Sequence, residues 1–339
     1  MMGWKRLNWI DNLRGLGMIL VVWAHMNIPF ALETIIYSFH MPLFFFISGY
    51  LYKKNNATFK EVLTKKATGL LIPYFFFATL SLPFGIAISI FRGESWSIMG
   101  SFMNYFYLDG SVGWNSPIWF LIVLFLIEIS YFLIDRIKGY NSMFIVLCFV
   151  IGYVFSNTRM EFPLGLNIVF YGLVFYYIGQ VLNVNNILGW LFVNKFRVMA
   201  TLVLCIGLNV LFGFVLNSRV SIYHNELGNY LWFYIAAISA CLALFILFKG
   251  SPSYRILTFI GTNSIVIMST HYFFKYGFDV ADSFVTYGLL TQERSLWISI
   301  METVFILICS IPLIYLYNKY FFVFLSKKRK KSAIRSPTV

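Results

Sequence analysis

Apolar stretches of about 20 residues, the length a helix needs to cross the hydrocarbon core of a bilayer, recur along the whole chain. Ten can be drawn within its 339 residues, at 10–28, 36–52, 69–91, 116–134, 142–156, 166–184, 197–216, 229–248, 260–281 and 297–324. Of the residues, 60% are hydrophobic and only 12% charged, against about a quarter charged in a soluble domain. The pattern predicts an all-α polytopic membrane protein of about ten transmembrane helices. One membrane domain, residues 1–326, holds them all, and a basic tail, residues 327–339, follows it.

Charge orients the spans. If the N-terminus is cytoplasmic, Lys5, Arg6, the cluster Lys53, Lys54, Lys60, Lys65 and Lys66, then Arg136, Lys138, Lys195, Arg197, Lys249, Arg255 and the basic tail all face the cytoplasm. Only Arg92, Arg159, Arg219 and Arg294 face outward. The positive-inside rule favours this arrangement, with both termini inside. The net charge of +13 is then a topology signal, and no nucleic-acid partner is expected from the tail. The first apolar run is too long for a cleaved signal peptide and has no small-residue cleavage site, so it is expected to be retained.

That first run, WIDNLRGLGMILVVWAHMN, differs from a plain anchor in carrying Asp11, Arg14 and His25. Ionisable groups inside a membrane helix are costly and point to function by default. At roughly 100° per residue Arg14 and His25 project in the same direction, with Asp11 about 60° away, and at roughly 1.5 Å per residue the two lie about 16 Å apart. One helix face thus joins a charge site to a proton-transfer site. Cys148, Cys205, Cys241 and Cys309 all fall within spans without metal-ligand spacing, so neither a disulfide framework nor a metal site is expected. The chain has no Gly-rich phosphate loop, no GxSxG and no HExxH.

The segments RLNWIDNLRGLGMILVVWAH and SFHMPLFFFISGYLY resemble the opening of the acyltransferase-3 family of membrane acyltransferases, in particular its fucose 4-O-acetylase-like branch. Weaker likenesses continue in order through KKATGLLIPYFFF, PIWFLIVLFLIEI, FPLGLNIVFYGLVFYYIGQVL and FIGTNSIVIMSTHYFF. The resemblance implies an enzyme in a bacterial plasma (inner) membrane. It would move an acyl group, acetyl first among the candidates, from cytoplasmic acyl-CoA to a hydroxyl of a cell-surface glycan or its precursor. The family's helix-one Arg and His fall on Arg14 and His25, and its Ser-Gly-Tyr segment on Ser48, Gly49 and Tyr50. Unlike larger members, this sequence has no attached extracytoplasmic hydrolase-like domain. The implied partners are acyl-CoA, the glycan acceptor and the bilayer; a homo-oligomer is compatible with the sequence.

The residues suit that chemistry. A positioned His can take the proton of a sugar hydroxyl as it attacks a thioester, and an acyl-His intermediate is the other route. His25 and Asp11 are the expected catalytic residues, although Asp11 can equally pair with Arg14 or cap the helix start. Arg14, Ser48, Tyr50, Lys65 and Lys66 are expected to hold the acyl-CoA. The bland alternatives are snorkelling for Arg14, close helix packing at Ser48 and Tyr50, and topology and lipid contact for the lysines. His40, Glu128 and His271 are expected on the acceptor side. Lys275 and Asp279 continue a stripe from His271 that can line the acceptor cavity or form an ion pair, and Asn263 and Ser264 are expected to cap a helix start. The outer loop from about 92 to 115, with Trp96, Tyr105, Asp109 and Trp114, offers an acceptor surface or is an ordinary interfacial loop. A multi-span transporter or glycan exporter is the rival reading, and a silent accessory subunit a third. Ionisable groups gathered on helix one and its neighbours, not at the midplane of paired repeats, favour the enzyme.

Overall fold

The computed structural model describes residues 7–54, 56–91, 93, 95, 97–105, 113–137, 139–158, 162–285 and 295–321. The basic tail, together with Trp96 and Asp109, lies outside the described residues. Among those described the regular elements are all helical, and the sole β pairing is an isolated bridge between Ser221 and Glu226. The chain runs through α1 (Asn8–Ala24), α2 (Phe30–Tyr37), α3 (His40–Tyr50), α4 (Phe59–Lys66), α5 (Ile72–Phe91), α6 (Ile98–Asn104), α7 (Trp119–Ile134) and α8 (Asn141–Thr158). It continues through α9 (Leu166–Val184), α10 (Ile187–Phe192), α11 (Lys195–Val210), α12 (Tyr230–Phe248), α13 (Arg255–Thr262), α14 (Ser264–Val285) and α15 (Leu296–Leu316).

Eight helical stretches among the described residues are long and apolar enough to cross a membrane: Phe30–Tyr50, Phe59–Phe91, Ser116–Ile134, Asn141–Thr158, Pro163–Val184, Lys195–Val215, Tyr230–Phe248 and Leu296–Tyr320. The expected spans at 10–28 and 260–281 are also helical, as α1 and α14. They stand outside that set and carry Asp11, Arg14, His271, Lys275 and Asp279.

Two boundaries differ from the sequence expectation for local reasons. The helix expected from residue 69 begins at Phe59, because Thr58 and Glu61 form a capping box: Thr58 N–H donates to Glu61 Oε2 at 2.7 Å and Glu61 N–H to Thr58 Oγ1 at 3.3 Å. Lys65 and Lys66 therefore ride on a helix, not a loop. A π turn over Ala67–Leu71 follows, immediately before Pro73, which has no N–H to continue the ladder. Asn263 stands directly before α14, which starts at Ser264, so a helix does open there as expected, through the Asn263 backbone carbonyl and not its side chain, which donates to the Phe259 carbonyl at 2.8 Å. Its carbonyl accepts Val266 N–H at 3.0 Å and Ile267 N–H at 3.2 Å; the difference from expectation is that the same residue also ends a separate helix, α13.

Glycines set the closest approaches. A Cβ on Gly15 would overlap the Leu257 carbonyl and one on Gly261 the Asp11 carbonyl, so α1 and α13 touch backbone to backbone. Gly49 and Gly179 do the same for α3 and α9, against the Tyr176 and Phe46 carbonyls. In lipid, where apolar helices gain little from hiding apolar surface, small residues are what permits such packing. Asn12, fully buried on α1, holds the segment between α12 and α13 in place. Its Nδ2 donates to Ser251 Oγ at 3.0 Å and to the Pro252 carbonyl at 2.7 Å. Its Oδ1 accepts from Tyr254 N–H at 3.1 Å and Thr258 Oγ1 at 2.9 Å. With its amide satisfied on both sides, Asn12 costs little to bury and fixes the frame on which Asp11, Arg14 and His25 are hung.

Candidate active site

Two cavities open at opposite ends of α1. His25 sits just past the C-terminal end of the helix and Arg14 in its N-terminal half, in keeping with about 16 Å for eleven residues of rise. The cavity at His25 has a volume of about 280 Å³. His25, Tyr37, His40, Arg219, Tyr223 and Tyr272 are among its walls. His25 Nδ1 lies 2.7 Å from the Val21 carbonyl. A carbonyl oxygen can only accept, so Nδ1 carries the hydrogen and Nε2 keeps a lone pair: the ring is locked in the tautomer of a base. The same logic fixes His40, whose Nδ1 donates to the Ile36 carbonyl at 2.9 Å.

The 216–229 segment covers this cavity, and the sequence reading missed it. Ser221 and Glu226 exchange backbone hydrogen bonds of 2.6 and 2.9 Å. Asn225, at φ 54°, donates to the Phe155 carbonyl at 2.9 Å and accepts from Tyr171 Oη at 2.5 Å. The segment carries Tyr223, stacked on Trp119 with 5.9 Å between centroids, and Arg219. Arg219 Nε donates to Glu33 Oε1 at 2.8 Å, and the guanidinium lies 4.1 Å from the centre of the Tyr37 ring. The available signal was three asparagines, Asn217, Asn225 and Asn229, in one short connection, since Asn favours left-handed and capping positions.

The second cavity, of about 530 Å³, is lined by Arg14, Ser48, Lys53, Lys65, Lys66 and Glu128 among others. Lys66 Nζ is 2.6 Å from Glu128 Oε1, and Arg14 Nη1 is 3.9 Å from Asp11 Oδ1. Four cations around a cavity with two carboxylates make a site suited to a polyanion. Arg contributes a permanently charged fork and Lys a mobile point charge.

The structure thus brings Arg14, Ser48, Lys65 and Lys66 together, and His25 with His40. One open expectation is resolved and two need correction. Asp11, expected either to take part in catalysis or to pair with Arg14, does the second: it lies 3.9 Å from Arg14 Nη1, and fourteen residues of rise, about 21 Å, keep it from touching the His25 imidazole. Glu128, expected at the acceptor, faces the basic cavity because its partner Lys66 is there. Tyr50, expected at the donor, turns from that cavity to pack edge-on against Trp9 and Phe245, at 5.5 and 5.1 Å; successive helix positions point about 100° apart, so Ser48 and Tyr50 cannot face the same side. His271 is buried behind His25, their ring centres 5.2 Å apart. Lys275 and Asp279 form the ion pair, at 2.7 Å. Tyr105 is buried and its carbonyl accepts from Tyr74 Oη, so it offers no acceptor surface, whereas Trp114 packs on Phe273 at 5.0 Å.

Residues 7–319 match the model of the acyltransferase-3 family, described as an acyltransferase domain. The chain belongs to that family. No curated protein matches it closely enough to count. This membrane acyltransferase therefore holds, about 16 Å apart along one helix, a basic cavity suited to a polyanion and a histidine whose Nε2 keeps a lone pair. The Lys66–Glu128 pair gives a direct check on the first. Lys66→Met is expected to weaken binding of a phosphate-bearing anion at this cavity about 10-fold, measured by titration calorimetry with acetyl-CoA as the probe, and to lower thermal stability because Glu128 is left without its partner. Adding Glu128→Leu should restore stability but not binding; restored binding would show that Lys66 serves only the pair.

Proposed function

We propose that this acyltransferase transfers an acyl group, acetyl first among the candidates, from cytoplasmic acyl-CoA to a hydroxyl of a cell-surface glycan or its precursor, in the manner of the fucose 4-O-acetylase-like branch. The observation that carries this reading is the lock on His25: Nδ1–H is spent on the Val21 carbonyl, and Nε2 remains as a base at a cavity roomy enough for a sugar ring. The acceptor hydroxyl gives its proton to Nε2 while its oxygen attacks the thioester carbon. The carbon–sulfur bond breaks, and the proton passes from Nε2 to the departing thiolate. Arg14, Lys53 and Lys65 hold the phosphates of the donor at the far end of α1. The pantetheine arm then has to span about 16 Å along the helix, a distance comparable to its extended length. Arg219 and Tyr37, which line or adjoin the cavity, supply donors for the acceptor's other hydroxyls.

Mass spectrometry of surface glycans tests the proposal. Cells lacking the protein are expected to lose one acyl mass from their surface glycan and to regain it when wild type is supplied, which also identifies the acyl group. An unchanged acyl profile, with less glycan outside and more retained inside, would replace the enzyme reading by an exporter.

A further inference from the structure

We infer that His271 is a positioning residue that shares the acceptor's proton with His25, a role that rests on the reading of His25 as the base. His271 is completely buried on α14, and its Nδ1 donates to the Met268 carbonyl at 2.8 Å. By the argument applied to His25, its Nε2 is then a lone pair. That atom is buried without a hydrogen-bond partner among the described residues, a costly state for any acceptor and more so in a low-dielectric wall. His40 is buried too, yet has no such orphaned nitrogen.

The ring centre of His271 lies 5.2 Å from that of His25, with 59° between the planes. Each ring spends its one hydrogen on its own helix, so the pair presents two basic nitrogens and no proton between them. The reaction delivers that proton. As the acceptor oxygen bonds to the thioester carbon, its hydrogen moves to His25 Nε2, and a small turn of the ring offers it to His271 Nε2. When the carbon–sulfur bond breaks, the electron pair leaves with sulfur and the shared proton follows it, giving ester and thiol with nothing oxidised or reduced. The other ionisable or polar groups facing the pair are Tyr37 on α2, His40 on α3, Tyr272 and Lys275 on α14, and Arg219 on the covering segment. Both cations are already held, Lys275 by Asp279 and Arg219 by Glu33. His40 Nε2 also keeps a lone pair but lines the open cavity, whereas His271 Nε2 is sealed from it without a partner, and a positively charged His25 is what would satisfy it.

The test uses the full chain in lipid nanodiscs, with acetyl-CoA and surface glycan isolated from cells lacking the protein, and follows release of free thiol. His271→Phe is expected to lower kcat about 10- to 100-fold with KM for both substrates within about twofold, since a positioned acid–base group contributes on that scale or above. His271→Gln, which keeps an acceptor oxygen, should recover part of kcat. In mixtures of light and heavy water the wild type should show a curved dependence of kcat, the mark of more than one proton in flight, and both variants a straight one. Unchanged kcat in both variants, or a loss confined to KM for the glycan with the curvature kept, would overturn the inference. Should either variant fail to elute as the wild type does, a ¹⁵N-histidine spectrum of the wild-type protein decides: titration of the two rings as one linked pair is expected, and independent titration overturns it. No thiol release by the wild type would instead overturn the reading of His25 as an acyl-transfer base.

Discussion

His25→Gln is expected to lower kcat by about 10²- to 10⁴-fold, the usual contribution of a positioned base, equivalent to roughly 3 to 5 kcal/mol of barrier. Gln is the informative substitution because its amide can still donate to the Val21 carbonyl, which now takes the imidazole Nδ1–H at 2.7 Å. The turn that ends α1 should therefore survive, while the basic nitrogen does not. Binding of acetyl-CoA as a probe of the basic cavity should also survive, since Arg14 and the lysines that line it lie about 16 Å from His25. Thiol release from acetyl-CoA in the presence of glycan gives the rate, and titration calorimetry with acetyl-CoA gives binding. A rate within tenfold of wild type would return His25 to the role of a buried histidine bonded to its own helix. A loss of acetyl-CoA binding as large as the loss of rate would mean that the substitution had disturbed the donor cavity.

The sequence made some features of the site plain and hid others, and physical range separates the two. Arg14 and His25 sit on one helix at a spacing that local geometry fixes, so their common face and separation could be read directly. The membrane class was equally plain, because the length of an apolar run is a local property. Glu128 was misassigned because its neighbourhood depends on a contact between α4 and α7, made by Lys66 from 62 positions away. Asp11 had two roles open in the sequence, and only its pairing with Arg14, three residues on, is local enough to be read from spacing. The covering segment was invisible for a related reason. Arg219 reaches Glu33 and Tyr37, both far from it in sequence, and in the sequence it registers only as an outer cation. The Ser-Gly-Tyr stretch shows the limit most clearly: its spacing cannot tell which side chain faces a cavity and which faces a helix.

Gly49→Val is expected to destabilise the protein by about 3 kcal/mol or more, at or beyond the upper end of ordinary overpacking. A Cβ at this position would overlap the Tyr176 carbonyl on α9. Backbone cannot rotate away as a side chain can, so α3 and α9 would have to separate. They also meet at Gly179, which lies against the Phe46 carbonyl, so parting them at one glycine loosens both contacts. Gly207→Ala on α11 is the control: nothing lies within 4 Å of its Cβ, and it should leave stability unchanged or raise it by about 0.5–1 kcal/mol through helix propensity. Thermal unfolding in detergent, followed by tryptophan emission, compares the two. A Gly49→Val protein as stable as the control would mean that α3 and α9 do not touch along their backbones. The effect should reach the basic cavity as well, because Gly49 sits between Ser48, which lines that cavity, and Tyr50, which is wedged against Trp9 and Phe245. Even protein rescued by mild detergent should therefore bind acetyl-CoA more weakly, whereas the Val21 bond to His25, set within α1, should persist.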